Sequence, residues 1–206
     1  MELGIRTLIE FPDSPQFFRE QLLDLVLEEA EHLELCLNTL ELLNHKWGDW
    51  PVHIGLWASV SAEDDILDRI LIVHRYLEGN GLDAGDTLIR RLYGMPETKI
   101  HKPIYKIIKD EIGHVDFGSR WYRNICTENK IDPQTDFPTR MRKIEKQVPK
   151  RSEKISRTLR KRAGFTDEEL DFMEKMWIEN KKPISKSGPD KNNPYWSEQV
   201  WLKTIL

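Results

Sequence analysis

Two stretches of the chain, Glu28-Glu29-Ala30-Glu31-His32 and Asp110-Glu111-Ile112-Gly113-His114, repeat one pattern 82 residues apart. Each places an acidic residue directly before a Glu and a His three positions after that Glu. On an α-helix, residues three apart lie on one face, so a Glu and a His at this spacing can grip one cation together. The chain has 20 Glu and 6 His, and at that frequency two Glu/His pairs arise by chance in roughly one sequence in nine. Requiring an acid before both Glu lowers this to roughly a few per thousand.

The neighbours of each pair extend the reading. Leu22, Leu25, Glu29, His32, Cys36 and Leu43 recur at helical spacing, as do Ile104, Ile107, Glu111, His114, Trp121 and Ile125. Each pair therefore interrupts an apolar stripe that a helix turns toward a core. A carboxylate buried there needs a cation, a proton or an ion pair. Neither stripe offers Lys or Arg near its pair, so a metal ion is the economical answer. Along a third helix, Leu67, Leu71, His74 and Glu78 share a face, which makes Glu78 a bridging or terminal ligand, or else a solvated acid at a helix end. His74 is either an orienting group behind the ligands or a satisfied core histidine. Glu28 and Asp110 either accept from the free ring N–H of the ligand imidazoles or lie solvated on the flank. Cys36 reads as a small core hydrophobe.

Outward from these motifs the periodicity is helical nearly everywhere, and no strand pattern of period two is found. Residues 1–11 form a short apolar piece that stops at Phe11-Pro12-Asp13-Ser14-Pro15, with Ser14 as N-cap of a long helix over 15–46. A tryptophan-rich irregular connection spans 47–57. Ser61 and Asp64 have capping-box spacing and predict a helix over about 61–79 or beyond, its end weakened at Gly79, Asn80, Gly81 and Gly85, before a short helix at 87–93. Pro103 opens another long helix to about 126. A helix is expected over 149–163, ended by Gly164, and Thr166 to Glu169 cap one more. The tail from Lys181 reads as irregular chain wrapped on the body. The fold class is all-α: a four-helix bundle over 1–127, with a basic C-terminal helical extension and tail over 128–206 packed on it.

Composition closes off other classes. The 206 residues are 39% apolar and 32% charged, with a formal charge of −4 and a mean hydropathy of −0.58. No apolar run approaches the ~20 residues that span a bilayer, so no membrane partner is expected. The N-terminus lacks secretory-signal anatomy, and two cysteines make no disulfide framework; a soluble cytoplasmic protein is the expectation. Between Lys130 and Arg162 stand 12 Lys and Arg against 4 Asp and Glu, a local excess of +8. That segregation fits an anionic partner such as RNA, or a solvated basic helix.

The paired Glu-x-x-His motifs resemble the ferritin-like di-iron carboxylate superfamily. Within it, Phe11-Pro12-Asp13-Ser14-Pro15, Gly48-Asp49-Trp50-Pro51-Val52-His53, Leu77-Glu78 with Gly81-Leu82-Asp83, Asp110-Glu111-Ile112-Gly113-His114-Val115 and Gly118-Ser119-Arg120-Trp121 resemble a widespread, largely uncharacterised bacterial family of ferritin-like proteins, distantly similar to di-iron tRNA hydroxylases. The resemblance covers about residues 1–127 and echoes at Arg162-Ala163-Gly164-Phe165. It implies a ferritin-like bundle whose carboxylate-rich site is Glu29, His32, Glu78, Glu111 and His114. It also implies two iron ions, with manganese as the alternative and partial occupancy where a ligand is missing. Two departures stand out. Glu78-Gly79-Asn80-Gly81 replaces the family's Glu-Ala-Arg-Gly and is expected to loosen the helix. The first-helix Glu of the family falls about five residues before Glu2. By helix rise Glu2 sits roughly 7 Å too low to meet Glu29, so Glu2 bends in as sixth ligand, or the site has five, or the native start lies upstream.

The function expected on this basis is O2- or peroxide-dependent oxidase or hydroxylase chemistry on a small molecule or an RNA, with the electron donor unassigned. Leu25, Cys36 and Ile107 would line the cavity, and Arg120 and Trp121 would anchor their helix against residues 47–57. The alternatives are a metal-storage or metal-handling protein and a bundle that has lost activity and serves as a binding module. A homodimer is compatible with either.

Overall fold

In the computed structural model, which describes residues 1–93, 100–150 and 153–180, every regular element is helical. Among these residues no helix is long and apolar enough to cross a membrane. Helices α1 (Glu2–Glu10) and α2 (Gln16–Leu42) pack on each other across a five-residue turn. Ser14 does not cap α2 as its position predicts. Its Oγ donates instead to the Phe11 carbonyl at 2.8 Å, which shapes the turn, and the helix opens after Pro15.

The next helical run starts later than the sequence suggests and continues past Gly79 to Leu92. Ser61 and Asp64 form the turn before it, with Ser61 N–H donating to Asp64 Oδ2 at 2.8 Å. The capping box belongs to Asp65 and Asp68, which open α3 (Ile66–Ile70). The chain continues through a π-helical segment, Leu71–Leu77, directly into α4 (Glu78–Leu92). The expected loosening at Gly79 and the separate helix at 87–93 are thereby corrected. The reason is steric: a Cβ at Gly79 would lie 2.4 Å from Arg160 Nη1. Glycine makes room for a guanidinium that donates to the Arg75 carbonyl (3.0 Å), Asn80 Oδ1 (3.1 Å) and Asp83 Oδ2 (2.8 Å). A π turn shifts the main-chain ladder by one residue, and here the Arg75 carbonyl gains a side-chain donor.

Helix α5 (His101–Glu128) touches α2, α3, α4, the π segment and the elements that follow. Phe18 of α2 stacks on Phe117 at 5.5 Å and meets Trp121 edge-on at 5.3 Å, while Trp121 Nε1 donates to Gln21 Oε1 at 2.8 Å. Trp121 therefore anchors α5 to α2 and not to residues 47–57, and Arg120 pairs with Asp116 at 2.8 Å.

Asp132 caps α6 (Pro133–Ile144), which starts on a proline and was not separately legible in the basic stretch. The helix expected over 149–163 shrinks to α7 (Arg157–Arg162) because Pro149 and Ser156 bond to other elements. Tyr76 Oη donates to the Pro149 carbonyl at 2.8 Å, and Ser156 N–H donates to Asp83 Oδ1 at 2.8 Å. Gly164, at φ +82°, ends α7, and Thr166 with Glu169 closes a capping box onto α8 (Asp167–Asn180). The expectation for the tail from 181 lies outside the described residues. Phe137, Met141, Ile144, Phe165, Leu170 and Met173 join the same buried cluster as Phe18, Leu71, Val115 and Tyr122, so one core runs through both halves of the chain.

The charge asymmetry has an internal explanation. Arg140 pairs with Asp65 and Asp68, Lys143 with Asp68, Arg160 with Asp83, Arg142 with Glu179, and Arg157 and Lys161 with Asp167. Six of the 12 basic residues of 130–162 thus meet acids from outside that stretch. The Arg160–Asp83 pair is fully buried on both sides. Removing one partner of such a pair leaves a desolvated charge, so Arg160→Met should destabilise the protein by about 3–5 kcal/mol in urea unfolding. Arg160→Met combined with Asp83→Leu should recover much of that loss. Equal destabilisation by the single and double variants would show that the pair is not the cause.

Candidate metal centre

Helices α2 and α5 build the site between them. Glu28 meets His114 and Asp110 meets His32, so residue numbers rise on one helix as they fall on the other and the two helices run antiparallel. Helical spacing then turns Glu29 and His32 of α2 toward Glu111 and His114 of α5. One potential ligand atom from each of these four residues lies within 4.8 Å of every other. His114 Nδ1 is 3.0 Å from Glu29 Oε1 and 3.8 Å from Glu111 Oε2; His32 Nδ1 is 3.4 Å from Glu29 Oε1 and 3.7 Å from Glu111 Oε1.

The outer edges of both imidazoles are held by carboxylates of the opposite helix. His114 Nε2 lies 2.9 Å from Glu28 Oε2, and His32 Nε2 lies 3.2 Å from Asp110 Oδ2, with Lys106 Nζ on the same Asp110 oxygen at 2.7 Å. A carboxylate can only accept, so each Nε2 carries a hydrogen, and Nδ1 is the nitrogen left facing inward, where a cation that displaces its proton would find a lone pair. The acids directly before each Glu thus serve the other helix's His. Glu29 Oε1, His32 Nδ1, Glu111 Oε2 and His114 Nδ1 are all buried, and none makes a hydrogen bond among the described residues. Close approach of ligand atoms without hydrogen-bond alignment is what a shared cation would resolve, so the donor set fits a metal ion.

Glu78 stands close by, outside the four-residue convergence. His74 Nδ1 contacts both of its oxygens, at 3.0 and 2.9 Å. Glu2 is exposed and does not join the cluster, although it lines the neighbouring cavity; the Met1 amino group lies 3.6 Å from Glu29 Oε2. Cys36 is exposed, not buried, and is absent from the cavity wall. Past His32 no residue of α2 is buried. The cavity, of about 390 Å³, is walled by apolar residues including Leu22, Leu25, Val26, Leu77, Ile107 and Ile108, and it reaches Glu29, Glu78 and Glu111. Sequence reasoning missed the π segment beneath it, since nothing in Leu71–Leu77 marks a change of helical pitch.

The site is electrostatically crowded. Burial raises the Glu111 carboxyl, and the charges of Glu78 and Glu29 add to it, pushing its pKa up to about 8. Burial works against charge on Glu29 and His114 as well, but their partners prevail. The His114 imidazole, the N-terminal ammonium and His32 hold Glu29 down at about 2. Glu29, Glu78 and Glu28 bring His114 up to about 9.

Fold and site define an all-helical protein with a buried Glu/His cluster of metal-ligand type. A family described as "Protein of unknown function (DUF455)" matches residues 1–171, and the chain belongs to it. An "Uncharacterized protein" of Haemophilus influenzae (strain ATCC 51907 / DSM 11121 / KW20 / Rd) is 33% identical over 147 residues, which cover 71% of this chain and 50% of that protein. The chain thus spans about half the length of this curated relative. No solved structure matches.

A stability signature follows from Glu111. Its folded pKa, about 8, lies above the ordinary value of 4.5, so the folded state holds the extra proton in that window. Stability therefore falls as pH rises through it. In chelator-treated protein, Glu111→Gln should raise the unfolding midpoint at pH 8, with the gain shrinking toward pH 4.5. A midpoint difference that stays constant over that range would contradict the assignment.

Proposed function

We propose that this chain is a ferritin-like di-metal protein that oxidises a small organic substrate with O2 or peroxide. In this reading α1, α2, the helical run over 66–92 and α5 are the four helices of the bundle, residues 128–206 are its extension, and the ions are iron or manganese. The observation that carries it is the convergence of Glu29, His32, Glu111 and His114 within 4.8 Å, with their inward lone pairs buried and unpartnered among the described residues. Mixed carboxylate and imidazole ligation suits divalent iron, manganese or zinc better than a hard alkaline-earth ion, and paired Glu-x-x-His helices are the arrangement of di-iron bundles.

When bound, redox-active ions with open positions would supply the electron-transfer chemistry toward O2 or peroxide. The chain supplies the rest. Glu29 and Glu111 offer carboxylates from opposite helices, and His32 and His114 offer nitrogens aimed by Asp110 and Glu28. Leu25, Val26, Ile107 and Ile108 keep water from the approach and set the shape of what can enter. A cavity of this size suits a small molecule or one end of a larger one. Half of the basic residues of 130–162 are held by internal acids, which accounts for part of the charge excess without an RNA partner.

Elemental analysis of protein purified without chelator tests the reading, with iron or manganese per chain as readout; protein that neither retains nor takes up metal would overturn it. Glu111→Ala should abolish tight metal binding while far-ultraviolet circular dichroism stays helical. Loss of helicity in that variant would mean the metal, and not the apolar core, holds the bundle together. Asp110→Asn and Glu28→Gln should each weaken metal binding by about 10–100-fold, the usual effect of losing a carboxylate behind a ligand His.

A further inference from the structure

We propose that the substrate of this centre presents a hydrocarbon chain, whose end enters the cavity at Glu29 and Glu111 and whose remaining length lies over Trp57 along α1. The proposal rests on the di-metal reading and names the substrate class for it. The chemistry of the wall selects that class. Among the described residues lining the cavity there is no Lys, Arg, Ser, Thr, Asn or Gln side chain. Its polar side chains are Glu2, Glu29, Glu78, Glu111, His74 and the Trp57 indole, and the others are apolar or glycine. Four carboxylates repel a phosphate or carboxylate group, and the ammonium of Met1 already lies 3.6 Å from Glu29 Oε2. A nucleobase or sugar meets a different obstacle. With Glu29 and Glu111 on an ion and Glu78 facing His74 Nδ1 at 3.0 and 2.9 Å, its polar edges would lose water and find few partners. A hydrocarbon asks nothing of the wall but contact.

A second cavity gives the substrate its length. It measures about 510 Å³ and is lined by Glu2, Ile5, Arg6, Ile9, Glu10 and Trp57, so Glu2 and Trp57 belong to both walls. Ile5 and Ile9 stand one turn apart on α1, 43% and 72% exposed. Arg6 and Glu10 are already paired: Arg6 Nε donates to Glu10 Oε1 at 2.9 Å, and Arg69 reaches the same carboxylate. The Arg6 guanidinium lies 4.8 Å from the centre of the Trp57 ring. The outer cavity therefore offers apolar contact and no free ionic partner on α1 for an anionic group. Each volume falls in the range of small-molecule sites. The two meet at Trp57, so an occupant that fills both is elongated and crosses that ring. Trp57 is thus the specificity-determining residue, although it lies outside the Glu/His cluster.

The test uses the full chain with 15N in histidine and 13C in the Ile, Leu and Val methyl groups, loaded with Zn2+ as a diamagnetic probe. It is then titrated with 1-butanol, 1-hexanol and 1-octanol, and separately with adenosine and butylammonium. Zinc should shift the ring nitrogens of His32 and His114. 1-Butanol should shift the inner methyls of Leu25 and Ile107, and 1-octanol should shift these together with Ile5 and Ile9. Affinity should rise roughly threefold to fourfold for each added methylene. Trp57→Ala should weaken 1-octanol several-fold more than 1-butanol, since only the longer chain crosses the ring. Alcohols that leave Leu25 and Ile107 unmoved, or adenosine or butylammonium shifting them in their place, overturn the proposal while the metal centre stands. So does 1-octanol that never reaches Ile5 and Ile9. Zinc that leaves His32 and His114 unmoved overturns the metal centre and this proposal together. The wild-type spectra decide both questions even if the variant folds poorly.

Discussion

Asp110 on α5 holds an imidazole that belongs to α2, and Glu28 on α2 holds one that belongs to α5. These two crossed contacts are the constraint on which the site depends. A Glu and a His on a single helix face fix only that both can point the same way. Which ring nitrogen points inward depends on what holds the other, and here the answer comes from the facing helix. Antiparallel pairing of two copies of one short motif makes that possible, since each motif carries both a ligand pair and the acid that serves its counterpart. A shift of α2 against α5 by one turn would break both contacts at once. The Phe18–Phe117–Trp121 cluster and the Trp121–Gln21 hydrogen bond set that register from within the core.

The third wall of the site is held from the far side. Arg75 and Arg160, both buried, clamp the π segment and α4 onto the C-terminal elements. Arg75 reaches Glu169 with two hydrogen bonds at 2.9 and 2.7 Å and lies 4.3 Å over the Phe165 ring, and Arg160 reaches Asp83. A buried ion pair is a poor source of stability against an apolar pair of equal volume. Its strength is directional: a guanidinium with several fixed acceptors tolerates little displacement. The basic segment that suggested a nucleic-acid partner is thus partly an internal fixture that keeps His74 and Glu78 where they stand.

Much of this was legible in the sequence. The two Glu-x-x-His motifs and their stripes placed Glu29, His32, Glu111 and His114 on two long helices facing one centre, because a period of 3.6 is a local property that residue types report directly. The acids at Glu28 and Asp110 were also readable, though not their crossing, which needs the helix pairing. What failed had non-local causes. Gly79-Asn80-Gly81 read as a weak helix end because the reason for Gly79, the guanidinium of Arg160 81 residues away, leaves no trace in its neighbours. Cys36 fitted the stripe but lies past His32, the last buried residue of α2, with its side chain exposed. The helix before Gly164 was placed too early because the Pro149 carbonyl and the Ser156 N–H are taken by Tyr76 and Asp83, partners that no local pattern reveals.

The energetics of the centre and of its supports run in opposite directions. Carboxylates crowded enough to push Glu111 up to about 8 weaken the fold that contains them. The large apolar core shared by all the helices carries that strain, and the buried arginines keep the third wall from relaxing away from it. A cluster selected only for folding would replace Glu111 with an apolar residue, as the rest of its stripe does at Ile104 and Ile107. The folded chain relieves the crowding only in part, with the Met1 amino group 3.6 Å from Glu29 Oε2. Lys106 stands one turn from the cluster yet contacts Asp110 and not the inner carboxylates, and Glu29 Oε1 and Glu111 Oε2 keep no hydrogen-bond partner among the described residues. A bound cation would balance them at a position the two helices have already shaped.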